Sequence, residues 1–335
     1  MEPIDFVIIW VDGNDPKWQA EKRKYEKIDI YEKKDNREIR YRDWDNLQYW
    51  FRGVEKFAPW VHKIHFVTWG HIPKWLDITN PKVHIVNHKD IIPNEYLPVF
   101  NSNAIELNIN KIEGLSEQFV YFNDDMFIVS PMQPTDFFIN GLPVTRAILD
   151  PNVWDRAIQN YTTTVQMGII NDHFDKKKVI KENFSKWFNV KYGKENLKNV
   201  LLYPWSKFTG ISTQHLPNPF LKSVLDEVWK EEPTELLQTI SHKFRTPFDI
   251  NQWIFLFWEI VSGRFIVGPV IGKSFEISDN EETNLIIYNT LKAQNYKLMC
   301  LNDLVRFSDF EGEKKRLNRA FNSLLPLTSS FERSQ

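Results

Sequence analysis

The string Tyr121-Phe122-Asn123-Asp124-Asp125 sets two adjacent carboxylates directly behind an apolar run, QFVYF at 118–122. Adjacent carboxylates repel unless a cation or basic group offsets them. A hard divalent ion does this well, because Mg²⁺ and Mn²⁺ take oxygen ligands from one or two carboxylates and from a substrate's phosphates. The chemistry suggested is diphosphate binding, and the plain alternative is a helix cap plus a solvated acid at a strand-to-turn junction. Asp12 and Asp15, in WVDGND, repeat the arrangement behind FVIIWV at 6–11; their alternative is an Asx-type turn whose acids bond local backbone amides. Asn302-Asp303, behind KLMCL, is a third polar pair at a third strand end.

Other candidates come from single side chains. His215 sits in a polar loop, STQHLP, where an imidazole could reach a cleft and accept a proton; a surface histidine is the alternative. His173, in NDH, is a weaker candidate of the same kind, while His62, His65, His71, His84 and His88 lie in or beside strands and are assigned to structure. Arg245 stands just before a Pro-started helix in SHKFRTPFDINQW, a fitting two-part anion site, or else it pairs with Asp249. Arg40 and Arg42 either bind phosphate or pair with Asp43 and Asp45.

The elements that must position these residues alternate. FVIIWV (6–11), KIHFVT (63–68), VHIVN (83–87) and QFVYF (118–122) read as strands, the first and last of them buried. Between them, Leu47, Trp50, Phe51, Val54 and Phe57 recur at helical spacing up to Pro59, and Ser102 to Ile112 is helix-compatible. Such βαβ rhythm predicts a largely parallel sheet with ligands outside the C-terminal strand ends, where the acidic clusters fall. Residues 21–43 are intensely charged and read as an inserted, solvated excursion, and 151–262 as a mostly helical subdomain with scattered Trp residues including Trp154. Short strands are expected at 265–271 and 297–301, and a basic helix at 312–325. The expected organisation is one catalytic domain over 1–335, an α/β core from 4–150 and 263–310 carrying the helical subdomain 151–262.

Composition narrows the function. The 335 residues carry 42 Lys+Arg against 44 Asp+Glu, a net charge of −2, so the bulk attraction of a sequence-independent nucleic-acid binder is missing. An aromatic content of 15% marks a folded chain. The lone Cys300 excludes an intrachain disulfide and fits a reducing compartment. The start, MEPIDFVIIWVDG, lacks the basic leader of a signal peptide, and the most apolar stretch, 253–261, contains Glu259 and is too short to span a bilayer. No GxxxxGK[ST], GxGxxG after the first strand, GxSxG or HExxH occurs, which removes the main support for NTPase, nicotinamide, serine-hydrolase and zincin readings.

Taken in order, IDFVIIWVDGNDP (4–16), RYRDWDNLQYWFRGVEKFAPWVHKIHFVTWGHIPKWL (40–76), LPVFNSNAIELNINKIEGLSEQFVYFNDDMF (97–127), STQHLPNPFLKSVL (212–225), SHKFRTPFDINQWIF (241–255) and YKLMCLNDL (296–304) resemble the conserved blocks of the Stealth family. That family comprises sugar-1-phosphate transferases of bacterial capsule and cell-surface polysaccharide synthesis and of animal lysosomal-enzyme tagging. The resemblance implies a core similar to the GT-A glycosyltransferase fold and a reaction at phosphorus. An acceptor hydroxyl attacks the β-phosphate of a UDP-sugar, UMP leaves, and a phosphodiester forms. By position it implies Asp124, Asp125 and Asn302 as the Mg²⁺ or Mn²⁺ and diphosphate group, and His215, Arg245, Asp125 and Asp12 as catalytic residues. Asn123, Asp15, Arg42 and Asn251 are the substrate-binding candidates. The competing expectations are a metal-dependent glycosyltransferase releasing UDP and a glycan- or nucleotide-binding protein without turnover. A nucleotide-sugar donor and a lipid-linked glycan acceptor suggest a cytoplasmic enzyme at the inner membrane face, with Lys314, Lys315, Arg316 and Arg319 a candidate contact for anionic lipid.

Overall fold

The computed structural model describes residues 2–26, 41–153, 158–303 and 306–333. Arg40, Trp154 and most of the charged excursion lie outside the described residues. Five strands form the main sheet: β1 (Ile4–Trp10), β2 (Ile64–Thr68), β3 (Val83–Asn87), β4 (Gln118–Phe122) and, from far along the chain, Asn218–Leu221. Their order is β3-β2-β1-β4 and then Asn218–Leu221; the first four run parallel and the last is antiparallel to β4. β1, β2 and β4 are buried almost throughout, as continuous β-branched and aromatic runs covered on both faces should be.

The remaining strands are shorter. After β4 come β5 (Met126–Ile128), β6 (Phe138–Ile139) and β7 (Leu142–Thr145); Asn218–Leu221 is β8, and β9 (Ile266–Val267), β10 (Gly272–Ile277) and β11 (Leu298–Asp303) follow. β10, β11 and β5 make a second sheet, with β11 parallel to β10 and antiparallel to β5; β6, β7 and β9 make a third. The class is thus α/β with a largely parallel main sheet.

The helix Leu47–Phe57 buries Leu47, Trp50, Phe51, Val54 and Phe57 on one face. Gly53 allows β5 to come close, since a Cβ there would lie 2.5 Å from the Ile128 carbonyl oxygen. Segment 151–262 is mostly helical in its described residues and also supplies β8, which closes an edge of the main sheet. Three local expectations are corrected. The helix-compatible stretch from Ser102 breaks at Glu106 and resumes as a short 3₁₀ turn, Ile109–Lys111. The helix expected at Pro247 begins only at Trp253 and runs to Val261. Pro247 and Phe248 instead form a turn, whose Asp249 carboxylate is taken up by Thr246, Asn101 and His242. The strand expected over 265–271 is only β9, with β10 following it. Among the described residues no helix is long and apolar enough to cross a membrane.

At the end of the main sheet away from the acids, Asp5 is fully buried. Its carboxylate accepts from the Lys63 and Ser116 amides and bonds His62 Nδ1 at 2.7 Å and His65 Nε2 at 3.1 Å. Burial raises its pKa, but the bonds to His65, Ser116 and His62 outweigh that and bring it down to about 2. A carboxyl depressed in the folded state stabilises above its unfolded pKa, and this contribution is lost as pH falls from 3.8 towards 2. Asp5→Asn is therefore expected to cost about 2 kcal/mol at neutral pH. In urea titrations the gap from wild type should shrink in that acid window, and a pH-independent gap would contradict the linkage.

Candidate active site

The C-terminal ends of β1, β4 and β11 open into one cleft of about 330 Å³. Its lining includes Asn123, Asp124 and Asp125 behind β4, Asn302 and Asp303 at the end of β11, and Arg42, His215, Arg245 and Asn251 from loops. Three strand ends and three loop segments thus converge as strand-end logic predicts. Asp12 and Asp15 are not in the lining: from β1 it is Ile9, Trp10 and Val11 that reach it. Asp12 accepts the Asn14 amide at 2.9 Å, closing an Asx turn. Asp15 accepts the Lys17 and Trp18 amides and so caps the helix Pro16–Glu26, with His71 Nδ1 at 3.5 Å. Gly13 between them serves close packing, since a Cβ there would meet the Tyr41 carbonyl oxygen at 1.9 Å.

Negative charge is concentrated on the cleft floor. Asp124 is open to solvent but crowded by protein, and this desolvation, with the charges of Asp125 and Asp43, raises its pKa to about 7. Asp43 is itself raised, by burial first and then by Asp45 and Asp12. Asp125 Oδ2 accepts from the Cys300 thiol at 3.3 Å and lies 3.4 Å from His215 Nε2, whereas its buried Oδ1 has no hydrogen-bond partner. A buried, unpartnered carboxylate oxygen amid like charge is what a cation would satisfy. Donor atoms of Asp125, His215 and Cys300 lie within 4.8 Å of one another, a set a soft ion could use. Burial and the charge of Asp125, however, hold the Cys300 thiol protonated, its pKa well above the usual thiol value, so it serves Asp125 as a donor. The oxygen donors of Asp124, Asp125 and Asn302 are the better fit to a hard ion.

In the same cleft, Arg245 donates to the Ser102 hydroxyl, which donates in turn to Glu106 Oε1 at 3.3 Å. Glu106 is buried, accepts from Tyr121 Oη at 3.2 Å and from the Gln252 amide, and Tyr121 Oη also lies 2.6 Å from Asn123 Oδ1. A connected chain thus fixes both Arg245 and the carboxamide beside the acids. Asp249, the sequence's alternative partner for Arg245, is fully buried in its own turn. For His215, burial lowers the pKa, but the hydrogen bond and charge of Asp125 and the charge of Glu106 more than offset this and the opposing Arg245, so the net shift is upward. Asn251 Oδ1 accepts from Gln166 and from the Trp253 amide, linking the cleft to the helix Ile158–His173.

Arg42 pairs neither with Asp43 nor with Asp45; it reaches Asp303 at 2.9 Å, where Trp44 Nε1 joins at 3.2 Å, and its guanidinium lies 4.8 Å from the Phe310 ring centroid. His173 is elsewhere, bonded to Glu232. Several cleft residues are not legible in the sequence. Asp43 and Glu106 look like helix acids, and Trp10, Trp18, Tyr41, Trp44, Phe100 and Trp253 are indistinguishable from core. His88, read as structural, also lines the cleft; its burial lowers the pKa to about 3, so it is neutral. The string NHKDII around it carries no signal of this role.

Comparison with known proteins follows the same blocks. Family models described as Stealth protein CR1, CR2 and CR3, conserved regions 1 to 3, match residues 2–29, 40–144 and 214–258. The chain is 43% identical to the capsular polysaccharide phosphotransferase WcwK of Streptococcus pneumoniae, covering 99% of each. It is 44% identical to the receptor polysaccharide phosphotransferase WefC of Streptococcus gordonii, again over 99% of each. To the exopolysaccharide phosphotransferase cps2G of Lactiplantibacillus plantarum it is 38% identical over 98% of this chain and 96% of that one. Among solved structures, the galactosyltransferase LgtC in complex with donor and acceptor sugar analogs overlaps 97% of this chain and 98% of its own at 10% identity and a TM-score of 0.40. So loose an overlap says nothing of activity.

Proposed function

The chain belongs to the Stealth family, and from that premise we propose that it transfers a sugar-1-phosphate from a UDP-sugar to a hydroxyl of a glycan, releasing UMP, in the synthesis of a capsular or cell-surface polysaccharide. The observation that carries this reading is the cleft itself, whose lining holds both the unpartnered Asp125 oxygen among acids and Arg245 held by Ser102. A diphosphate needs both a cation and a guanidinium, and the reading seats it between them.

The reaction asks for little covalent chemistry from the protein. The acceptor oxygen bonds to the β-phosphorus, the bond from that phosphorus to the bridging oxygen breaks, and the electron pair leaves on UMP. Asp124, Asp125 and Asn302 would hold Mg²⁺ or Mn²⁺, which when bound offsets charge on the diphosphate. Arg245 presents a planar fork to the equatorial oxygens, and Ser102 and Glu106 keep that fork from turning away. His215 takes the acceptor's proton on its imidazole, with Asp125 the alternative base. The aromatic side chains of the cleft, Trp10, Trp44 and Trp253 among them, offer faces to the uracil and the sugar.

The test is the identity of the released nucleotide. Incubation with a panel of UDP-sugars, Mg²⁺ or Mn²⁺ and candidate glycans should release UMP, and chelation with EDTA should abolish release until metal is restored. UDP as the product would reassign the chain to glycosyl transfer, and full turnover in EDTA would remove the metal from the account.

A further inference from the structure

We propose that the outer face of segment 176–207 docks on an anionic lipid bilayer. This surface lies outside the cleft, and the inference does not rest on the proposed reaction. Nine lysines and two glutamates fall within 176–207, and every one of these lysines but the buried Lys176 is at least partly exposed, in a chain whose net charge is −2. Among the described residues Lys198, 2.8 Å from Asp150, is the one lysine of this segment in an ion pair.

Several apolar residues of the segment are exposed beside these charges. Phe184, Leu197 and Leu201 are each 60% exposed, Val200 and Trp205 55%, and Tyr203 38%. Folding accounts for this arrangement. On the helix Asn196–Leu202, Asn199 points inward and bonds the Leu149 amide and the Ala147 and Trp187 carbonyls, which leaves Leu197, Val200 and Leu201 on the outside. The helix Lys176–Glu182 lies alongside, because Lys176 Nζ donates to the Leu202 and Trp205 carbonyls at 2.6 and 3.0 Å, and Lys177 Nζ to the Tyr203 carbonyl at 2.6 Å. Phe184 and Tyr203 then flank a surface groove with Lys177, Lys178 and Lys181.

Exposed apolar side chains beside lysine ammoniums match the two layers of a bilayer surface, acyl chains below and anionic headgroups above, and exposed Trp and Tyr suit the boundary between them. Two copies of this chain meeting through the face would oppose like charges, which disfavours self-association. The basic helix Phe310–Leu324 is a poorer candidate, since Lys314 is taken by Asp45 at 2.6 Å and Arg316 by Glu313 at 2.6 Å.

The test is co-sedimentation of the full chain with vesicles of pure phosphatidylcholine and of equal parts phosphatidylcholine and phosphatidylglycerol. Binding is expected to the second alone and to weaken with salt. Lys178→Glu/Lys181→Glu/Lys194→Glu should lower the partition coefficient at least about a hundredfold, and Leu197→Ser/Leu201→Ser/Trp205→Ser should lower it at least about tenfold. Lys315→Glu/Arg319→Glu should leave it nearly unchanged. Thermal unfolding of each variant checks that it is folded, and the lysine set, being entirely on the surface, stands in if the apolar set is not. The proposal is overturned by absence of vesicle binding at low salt, or by binding that survives the lysine changes. It is equally overturned by loss confined to Lys315→Glu/Arg319→Glu, or by a dimer that dissociates in the apolar variant with no vesicle binding.

Discussion

Asp125→Asn is expected to lower kcat roughly 10³-fold or more while leaving the chain folded. The side chains are nearly isosteric, so packing is kept, and the backbone bond from the Leu301 amide to the Asp125 carbonyl oxygen at 2.8 Å is untouched. What disappears is one negative charge and an anionic oxygen that has no other partner. The charge is also one of those holding Asp124 up to about 7, so in the variant the Asp124 pKa should fall towards its ordinary value. Without metal the variant should be no less stable than wild type, because a repulsion has been relieved. Three measurements check this: steady-state nucleotide release, Mn²⁺ binding by calorimetry, and thermal unfolding in EDTA. Lost turnover with lost Mn²⁺ binding and an unchanged melting temperature is the expected pattern. A wild-type kcat would make the paired acids a structural feature of the turn.

For His215→Ala the expected loss is roughly 10²- to 10⁴-fold in kcat, with donor affinity nearly unchanged. The pH profile carries more information than the magnitude. A proton acceptor works in its neutral form, so the wild-type rate should fall as pH drops through the His215 pKa. That pKa lies above the ordinary imidazole value in the metal-free protein, because Asp125 and Glu106 outweigh burial. NMR titration of the metal-free chain should locate the His215 transition there, and Asp125→Asn should move it down. If His215→Ala kept both a substantial rate and the acid limb, the proton would go to Asp125, and His215 would serve to orient or bind phosphate.

Short stretches of chain determine much of this protein by themselves. β1, β2, β4 and the first part of β11 are runs whose β-branched and aromatic content specifies a covered strand locally, and a parallel sheet puts whatever follows such strands at one edge. For that reason Asp124 and Asp125 are candidates from the sequence alone, Asn302 joins them at the end of β11, all three line the cleft, and the blocks around them carry the family. Tertiary structure alone decided the rest. Arg42 lies next to two acids in sequence yet pairs with Asp303, 261 residues away, because the end of β11 is brought against that segment while Asp45 is turned outward to Lys314. Asp12 and Asp15 resemble Asp124 and Asp125 in sequence, but free amides two and three residues ahead satisfy them first, a local bond that costs no loop closure. β8 is four residues containing a proline, too short for periodicity to register, and it is a strand because the open edge of β4 supplies its partners. Glu106 reads as a polar position on a short helix, and only the fold buries it among Ser102, Tyr121 and the Gln252 amide, since hydrophobic patterning records which way a side chain faces and not what it meets there.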